Sequence, residues 1–323
     1  MQAKTDIPFR KRFKRKLRRP LEWFGIWLGV LCFSYVSHRT LFKLCDLAAA
    51  VMYAFDSKGR ALAEKNLKRI FSEKPLSKKR SEIIIRASYR NMARTIGHIF
   101  WTSRKAKERA AEVAEMTDEC RAFLKENRPA VTVSAHLGCW EVLSQLVYLE
   151  RLPIMSVAKD IGSAAMTSLL MKSRKSLGQE IVHAEGAFRP LMQALKDGTY
   201  VGLLVDQVVK AERGGIWVRY FSTPVPVSVA PAFLAAKAKV PTILAWCRPL
   251  KNGHYRCECI KQFPVEKKVD IWGRTQEIMT ALEKTIRRHP SCWVLNYRYF
   301  RYVPTAEELA QLEERERALK GEG

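Results

Sequence analysis

From Pro129 onward the sequence changes its period, and this change constrains the fold more than any other feature. Short runs of β-branched and small apolar residues appear, "AVTVSA", "PIMSVA", "YVGLLV" and "TILAWC". Helical patterns such as "AAMTSLLMKSRKSLG" and "FRPLMQALKDG" separate the first three. Parallel strands need a crossover connection, usually a helix, so this alternation predicts an α/β domain with a mixed, largely parallel central sheet flanked by helices. Ligands of such sheets gather at the carboxyl ends of the strands. Upstream, residues 57 to about 127 read as packing helices, with apolar residues three and four apart in "GRALAEKNLKRIF" and "SEIIIRASYRNMARTIGHIFW". Downstream, "RTQEIMTALEKTIRRHP" predicts a helix stopped near Pro290. The charged stretch after Pro304 predicts a solvated terminal helix or tail.

The N-terminus pairs a basic block, Arg10 to Arg19, with an uncharged apolar run, Trp23 to Val36. No small-residue cleavage site closes the run, so it is expected to be retained. It is shorter than the roughly 20 residues that span a bilayer, and Trp23, Phe24 and Trp27 suit a water–lipid boundary. An embedded or steeply tilted anchor with its basic flank on the cytoplasmic side is the expectation. The chain thus divides into a basic, anchoring N-terminus (1–56), an α/β domain with a helical subregion (57–303) and a charged tail (304–323).

Charge and cysteines narrow the partners. The 57 Lys and Arg against 32 Asp and Glu give a formal charge of +25, which asks for an anionic partner without choosing among nucleic acid, membrane and acidic protein. No nucleic-acid fold signature is present. The eight cysteines show no framework spacing and no pair of C-x-x-C motifs, so reduced thiols are expected and a zinc ribbon is not.

The chemistry concentrates in "VTVSAHLGCWEVLSQL", Val131 to Leu146. A strand over 130–135 puts His136 at its exposed end, Gly138 allows a tight turn, and a helix begins near Cys139 or Trp140 with Glu141 in its first turn. Three chemistries could use these groups. Glu141 could reach back to the imidazole, fix its tautomer and make His136 a general base, with backbone N–H groups stabilising an oxyanion. Cys139 at a helix N-terminus could be a thiol nucleophile, although no other histidine carries a supporting motif. His136, Cys139 and Glu141 could share a metal, which one hexapeptide makes sterically awkward.

These residues also carry a resemblance. "AHLGCWE" resembles the H-x4-D/E motif of the lysophospholipid acyltransferase superfamily, and its H-x-G-x-W-E form is similar to the branch of bacterial lipid A late acyltransferases. "LEWFGIWLGVL", "AEKNLKRIF", "LKDGTYVGLLVDQ", "IWVRYFSTPVPVSVAPAFLAAKAKVP" and "HPSCWVLNYRYF" are similar to further segments of that branch. The resemblance implies an acyltransferase fold and His136 as general base with Glu141 as its partner. Asp206 and Gln207 fall on the family's D-Q pair, and Arg174 falls where an arginine precedes a glycine; the resemblance implies substrate-binding roles for them. It further implies an acyl carrier thioester as donor, a lipid A precursor or related glycolipid as acceptor, and the cytoplasmic face of the bacterial inner membrane. No metal or cofactor is implied beyond the acyl carrier protein or coenzyme A that brings the chain. "YFSTP" in place of F-F-G, a missing second aspartate after Asp-Gln, and Tyr297 in place of a histidine bear on which acceptor is used.

Overall fold

The computed structural model describes residues 9–158, 163–176 and 178–320. The side chains of the basic block at 10–19 lie outside the described residues. The chain opens with four helices, α1 (Phe9–Phe33), α2 (His38–Phe55), α3 (Ser57–Ile70) and α4 (Lys78–Thr102). Their starts follow from local chemistry: Ser37, Asp56 and Ser77 each accept a hydrogen bond from a backbone N–H in the first turn of the helix that follows. Next come α5 (Ala106–Val113), β1 (Ala114–Met116) and α6 (Asp118–Glu126).

The α/β alternation then runs as the periodicity predicts. β2 (Val131–Ser134), α7 (Trp140–Leu149), β3 (Ile154–Ala158), α8 (Ala164–Ser176), β4 (Glu180–His183), α9 (Phe188–Lys196) and β5 (Tyr200–Leu204) succeed one another. A hairpin of β6 (Gly215–Tyr220) and β7 (Thr223–Ser228) stands apart as its own two-stranded sheet. After it come α10 (Ala230–Ala238), β8 (Thr242–Pro249), β9 (Tyr255–Phe263), α11 (Ile271–Arg288) and α12 (Ala306–Lys320).

The main sheet has seven strands in the order β1-β9-β8-β2-β5-β3-β4, and its one antiparallel junction is β8 with β9. β2 lies at the centre between β8 and β5, parallel to both. In the main sheet, β1 and β4 were not legible: the segment read as wholly helical holds β1, which pairs with β9 at the edge, and β4 is a short, half-exposed run. α12 is a helix, as expected, but it is not wholly solvated, since Leu312 is buried. α1 also differs from a free anchor. Ile26, Val30 and Phe33 pack with Ile99 and Phe100 of α4 and Leu169 and Leu170 of α8, while Trp23, Phe24 and Trp27 stay exposed. Among the described residues no helix is long and apolar enough to cross a membrane.

Candidate active site

The sheet register builds the site. Ser134 of β2 is paired with Leu204 of β5, and two residues beyond each strand partner come His136 and Asp206. Both therefore emerge side by side at the carboxyl end of the sheet, where the imidazole Nδ1 meets Asp206 Oδ1 at 2.8 Å. The His136 backbone N–H donates to the other carboxylate oxygen at 3.1 Å, and the Trp293 indole N–H donates to that same oxygen at 2.9 Å. Asp206 is 1% exposed, and a carboxylate so placed needs these donors to stay ionised. Burial pulls its pKa up, but the charge of His136 and the donated hydrogen bonds of His136 and Trp293 hold it below the ordinary carboxylate value. An ionised carboxylate only accepts, so Nδ1 carries the proton and Nε2 presents its lone pair. The Gln207 amide nitrogen lies 3.4 Å from Nε2. Burial disfavours the imidazolium, yet the Asp206 charge and hydrogen bond, with the Glu141 charge behind them, raise the His136 pKa above its ordinary value.

Glu141 corrects the sequence reading. It does start α7 as expected, but its carboxylate is taken by Arg174 of α8, with Nε and Nη2 donating at 3.1 and 2.8 Å. The pair is buried, with side-chain exposures of 14% for Arg174 and 5% for Glu141. A bidentate guanidinium satisfies both carboxylate oxygens and fixes their direction, which leaves Asp206 as the residue that holds the imidazole tautomer. Glu141 acts on His136 only through its charge. The sequence brought out all five of His136, Glu141, Arg174, Asp206 and Gln207, and the structure gathers them, but it exchanges the carboxylate partners.

What the sequence missed is the support beneath them. The turn after His136 is stitched to the segment following α11: Gly138 N–H donates to Cys292 O at 2.8 Å, and Val294 N–H donates to His136 O at 3.2 Å. Gly138 has φ 64°, and a Cβ there would stand 2.0 Å from the Cys247 carbonyl oxygen, so only glycine fits. That segment is held in turn by α3 and α4, through Asn66 Nδ2 to the Leu295 and Tyr297 carbonyls and Ser88 Oγ to the Trp293 carbonyl. Tyr299 stacks on Trp293 with ring centroids 3.9 Å apart. The "AEKNLKRIF" and "HPSCWVLNYRYF" segments thereby gain a physical role, that of clamping the base and its carboxylate.

The geometry also separates the rival chemistries. Cys139 is buried, and burial pushes its thiol up to about 12, the opposite of an activated nucleophile. Among the described residues no cluster could hold a metal ion, and all eight thiols are free. The N–H groups of Gly138 and Cys139 are already bonded to the Cys292 and Cys247 carbonyls, so these two are not free to meet an oxyanion.

Between α7 and the sheet lies a narrow, partly open cavity of about 70 Å³. Leu143 and Val147 roof it, Ile154, Leu204 and Ile243 line the sheet side, and Arg174 and Trp140 stand in its wall. The Trp140 ring meets the His136 imidazole edge to face, with centroids 4.9 Å apart, so one wall residue of the cavity stands between it and the imidazole. An imidazole so placed has the chemical means to take a proton from a hydroxyl.

The profile of the bacterial lipid A biosynthesis acyltransferases matches residues 10–301, and the chain belongs to that family. Its activity is therefore of the acyltransferase kind, joining an acyl donor to a lipid acceptor in lipid A and hence lipopolysaccharide biosynthesis. No curated protein matches the chain significantly.

Proposed function

We propose that the protein transfers a fatty acyl chain from an acyl carrier thioester to a hydroxyl of a lipid A precursor or related glycolipid, at the cytoplasmic face of the bacterial inner membrane. One observation carries this reading: a histidine whose Nε2 is free of Asp206 packs against Trp140, a wall residue of an apolar cavity. In the reaction, Nε2 of His136 removes the acceptor hydroxyl proton while the oxygen attacks the thioester carbonyl. Asp206 stabilises the imidazolium. Collapse of the tetrahedral intermediate expels the carrier thiolate, which takes the proton back from Nε2, so no residue is acylated and no resident cofactor is needed. With the turn N–H groups occupied, the Gln207 amide is the side-chain donor best placed to meet the oxyanion. Arg174, neutralised by Glu141, holds α8 against α7 along the wall of the chain's cavity.

The donor is assigned to acyl carrier protein over coenzyme A because a +25 chain steers an acidic protein through long-range attraction. The test compares both donors on one detergent-solubilised acceptor, with product identified by mass spectrometry. The carrier donor is expected to have the higher kcat/KM, with an advantage that shrinks as ionic strength rises from about 0.01 M to 0.15 M. Equal use of both donors would assign the basic surface to the membrane alone. Absence of an acylated lipid with either donor would overturn the reaction.

A further inference from the structure

α2 carries an apolar surface that the anchoring role of α1 does not explain. Its second half, Leu47 to Phe55, reads "LAAAVMYAF" and holds no charge on any side. A helix apolar all round belongs in a protein core or in lipid, yet protein covers one side only. Leu41, Cys45 and Ala49 are buried, and α4 meets that side closely: a Cβ on Gly97 would stand 2.3 Å from Cys45 Sγ. The other side is open, with Leu47 64%, Val51 50% and Phe55 86% exposed. Eleven of the eighteen exposed large apolar side chains among the described residues fall between Trp23 and Phe55. So concentrated a patch marks an interface.

Charge decides what covers it. Arg39 and Lys43 are exposed on the first turns of α2, and Lys58 is exposed just past its end, so cations flank the apolar stretch at both ends. Two copies of a +25 chain repel each other when brought face to face. An anionic leaflet satisfies both halves of the pattern, since acyl chains accept Leu47, Val51 and Phe55 while headgroups meet the cations. We propose that α2 is a second membrane-inserted element, lying in the interface of an anionic leaflet beside α1, so that two helices joined at Ser34–Ser37 seat the protein. The inference rests on the membrane residence proposed above and adds where the lipid is met.

The test uses the full chain on vesicles of phosphatidylcholine with and without phosphatidylglycerol. Leu47→Asp/Phe55→Asp is expected to weaken binding by about 10-fold or more, since each lost apolar contact costs that order. Circular dichroism of the variant checks that its helix content is kept. Lys43→Ala is expected to weaken binding only on the vesicles containing phosphatidylglycerol. Independently of these substitutions, p-benzoylphenylalanine at position 55 should cross-link to lipid on irradiation. Wild-type binding by the double variant, or a cross-link to a second copy in place of lipid, overturns the proposal for α2 alone. Failure of the unsubstituted chain to bind either vesicle overturns the membrane residence beneath it.

Discussion

Two carboxylates lie buried at the same end of the sheet, and their partners set them apart. Asp206 faces a histidine, a tryptophan N–H and a backbone N–H, so its one charge is spread over donors that are neutral when the imidazole is. Glu141 faces a guanidinium that is always charged, and the two cancel. The first arrangement changes its electrostatics whenever the imidazole gains a proton. The second stays the same through any proton transfer, which suits a strut between α7 and α8. Sequence proximity and the family resemblance both favoured Glu141 as the partner of His136. Strand adjacency chose Asp206.

The sharpest way to break this comparison is to neutralise each carboxylate in turn. Asp206→Asn should lower kcat by about 10²–10⁴-fold, as should His136→Ala, because an amide can donate to Nδ1 and invert the tautomer. The pH profile gives the sign. Only the unprotonated imidazole accepts the substrate proton, and Asp206 raises the His136 pKa, so the wild type loses activity on acidification from above the ordinary histidine value. In Asp206→Asn the residual acid limb should move to lower pH. An equal movement in Glu141→Gln, or none in Asp206→Asn, would return the orienting role to Glu141.

Next in size is the strut itself. Glu141→Ala leaves the Arg174 charge buried and should destabilise the fold by about 3–5 kcal/mol, read as a lower Tm. Glu141→Met/Arg174→Met should recover much of that loss if the pair is structural. A double variant no more stable than Glu141→Ala would show that Glu141 does something beyond neutralising Arg174.

Smaller still is the effect of Trp293→Phe, which removes one of the donors to Asp206 and keeps the ring stacked on Tyr299. A hydrogen bond to a charged group contributes about 1.5–3 kcal/mol, so kcat should fall by about 10-fold or somewhat more with the acceptor KM little changed. A change confined to KM would place the indole in substrate binding. At the small end, Cys139→Ala should alter turnover by less than about 3-fold and cost about 1 kcal/mol of stability. An inactive, folded Cys139→Ala protein with a trapped acyl-cysteine in the wild type would restore the thiol chemistry.

Much of this molecule was legible in its sequence because the local signals agreed with the fold. Period-2 runs gave β2, β3, β5 and β8, and the strand end with its turn glycine gave His136 and Glu141. β1 escaped because three residues at a sheet edge leave no alternation to read. The carboxylate exchange escaped for a different reason. His136 and Asp206 are 70 residues apart, and nothing local says that β2 and β5 are neighbours. The closing P-x-x-W motif marked Trp293 but not its role, since an indole donor in a turn looks the same as any core tryptophan until its acceptor is known. Side-chain direction was the other gap: the first turn of α7 fixed where Glu141 begins, while only the placement of α8 fixed where its carboxylate ends.

Cys292 and Trp293 leave the ribosome later than all five of the polar residues they help to place. Domains fold progressively as the ribosome delivers them, and a nascent chain halted before Cys292 already contains His136, Glu141, Arg174, Asp206 and Gln207. It lacks the carbonyl that accepts from the Gly138 N–H, the N–H that donates to the His136 carbonyl, and the indole that donates to Asp206. The setting of His136 and Asp206 therefore depends on contacts made by a segment that follows them by more than 80 residues. A chain shortened before Cys292 would hold every residue of the site and lack the contacts that set their geometry.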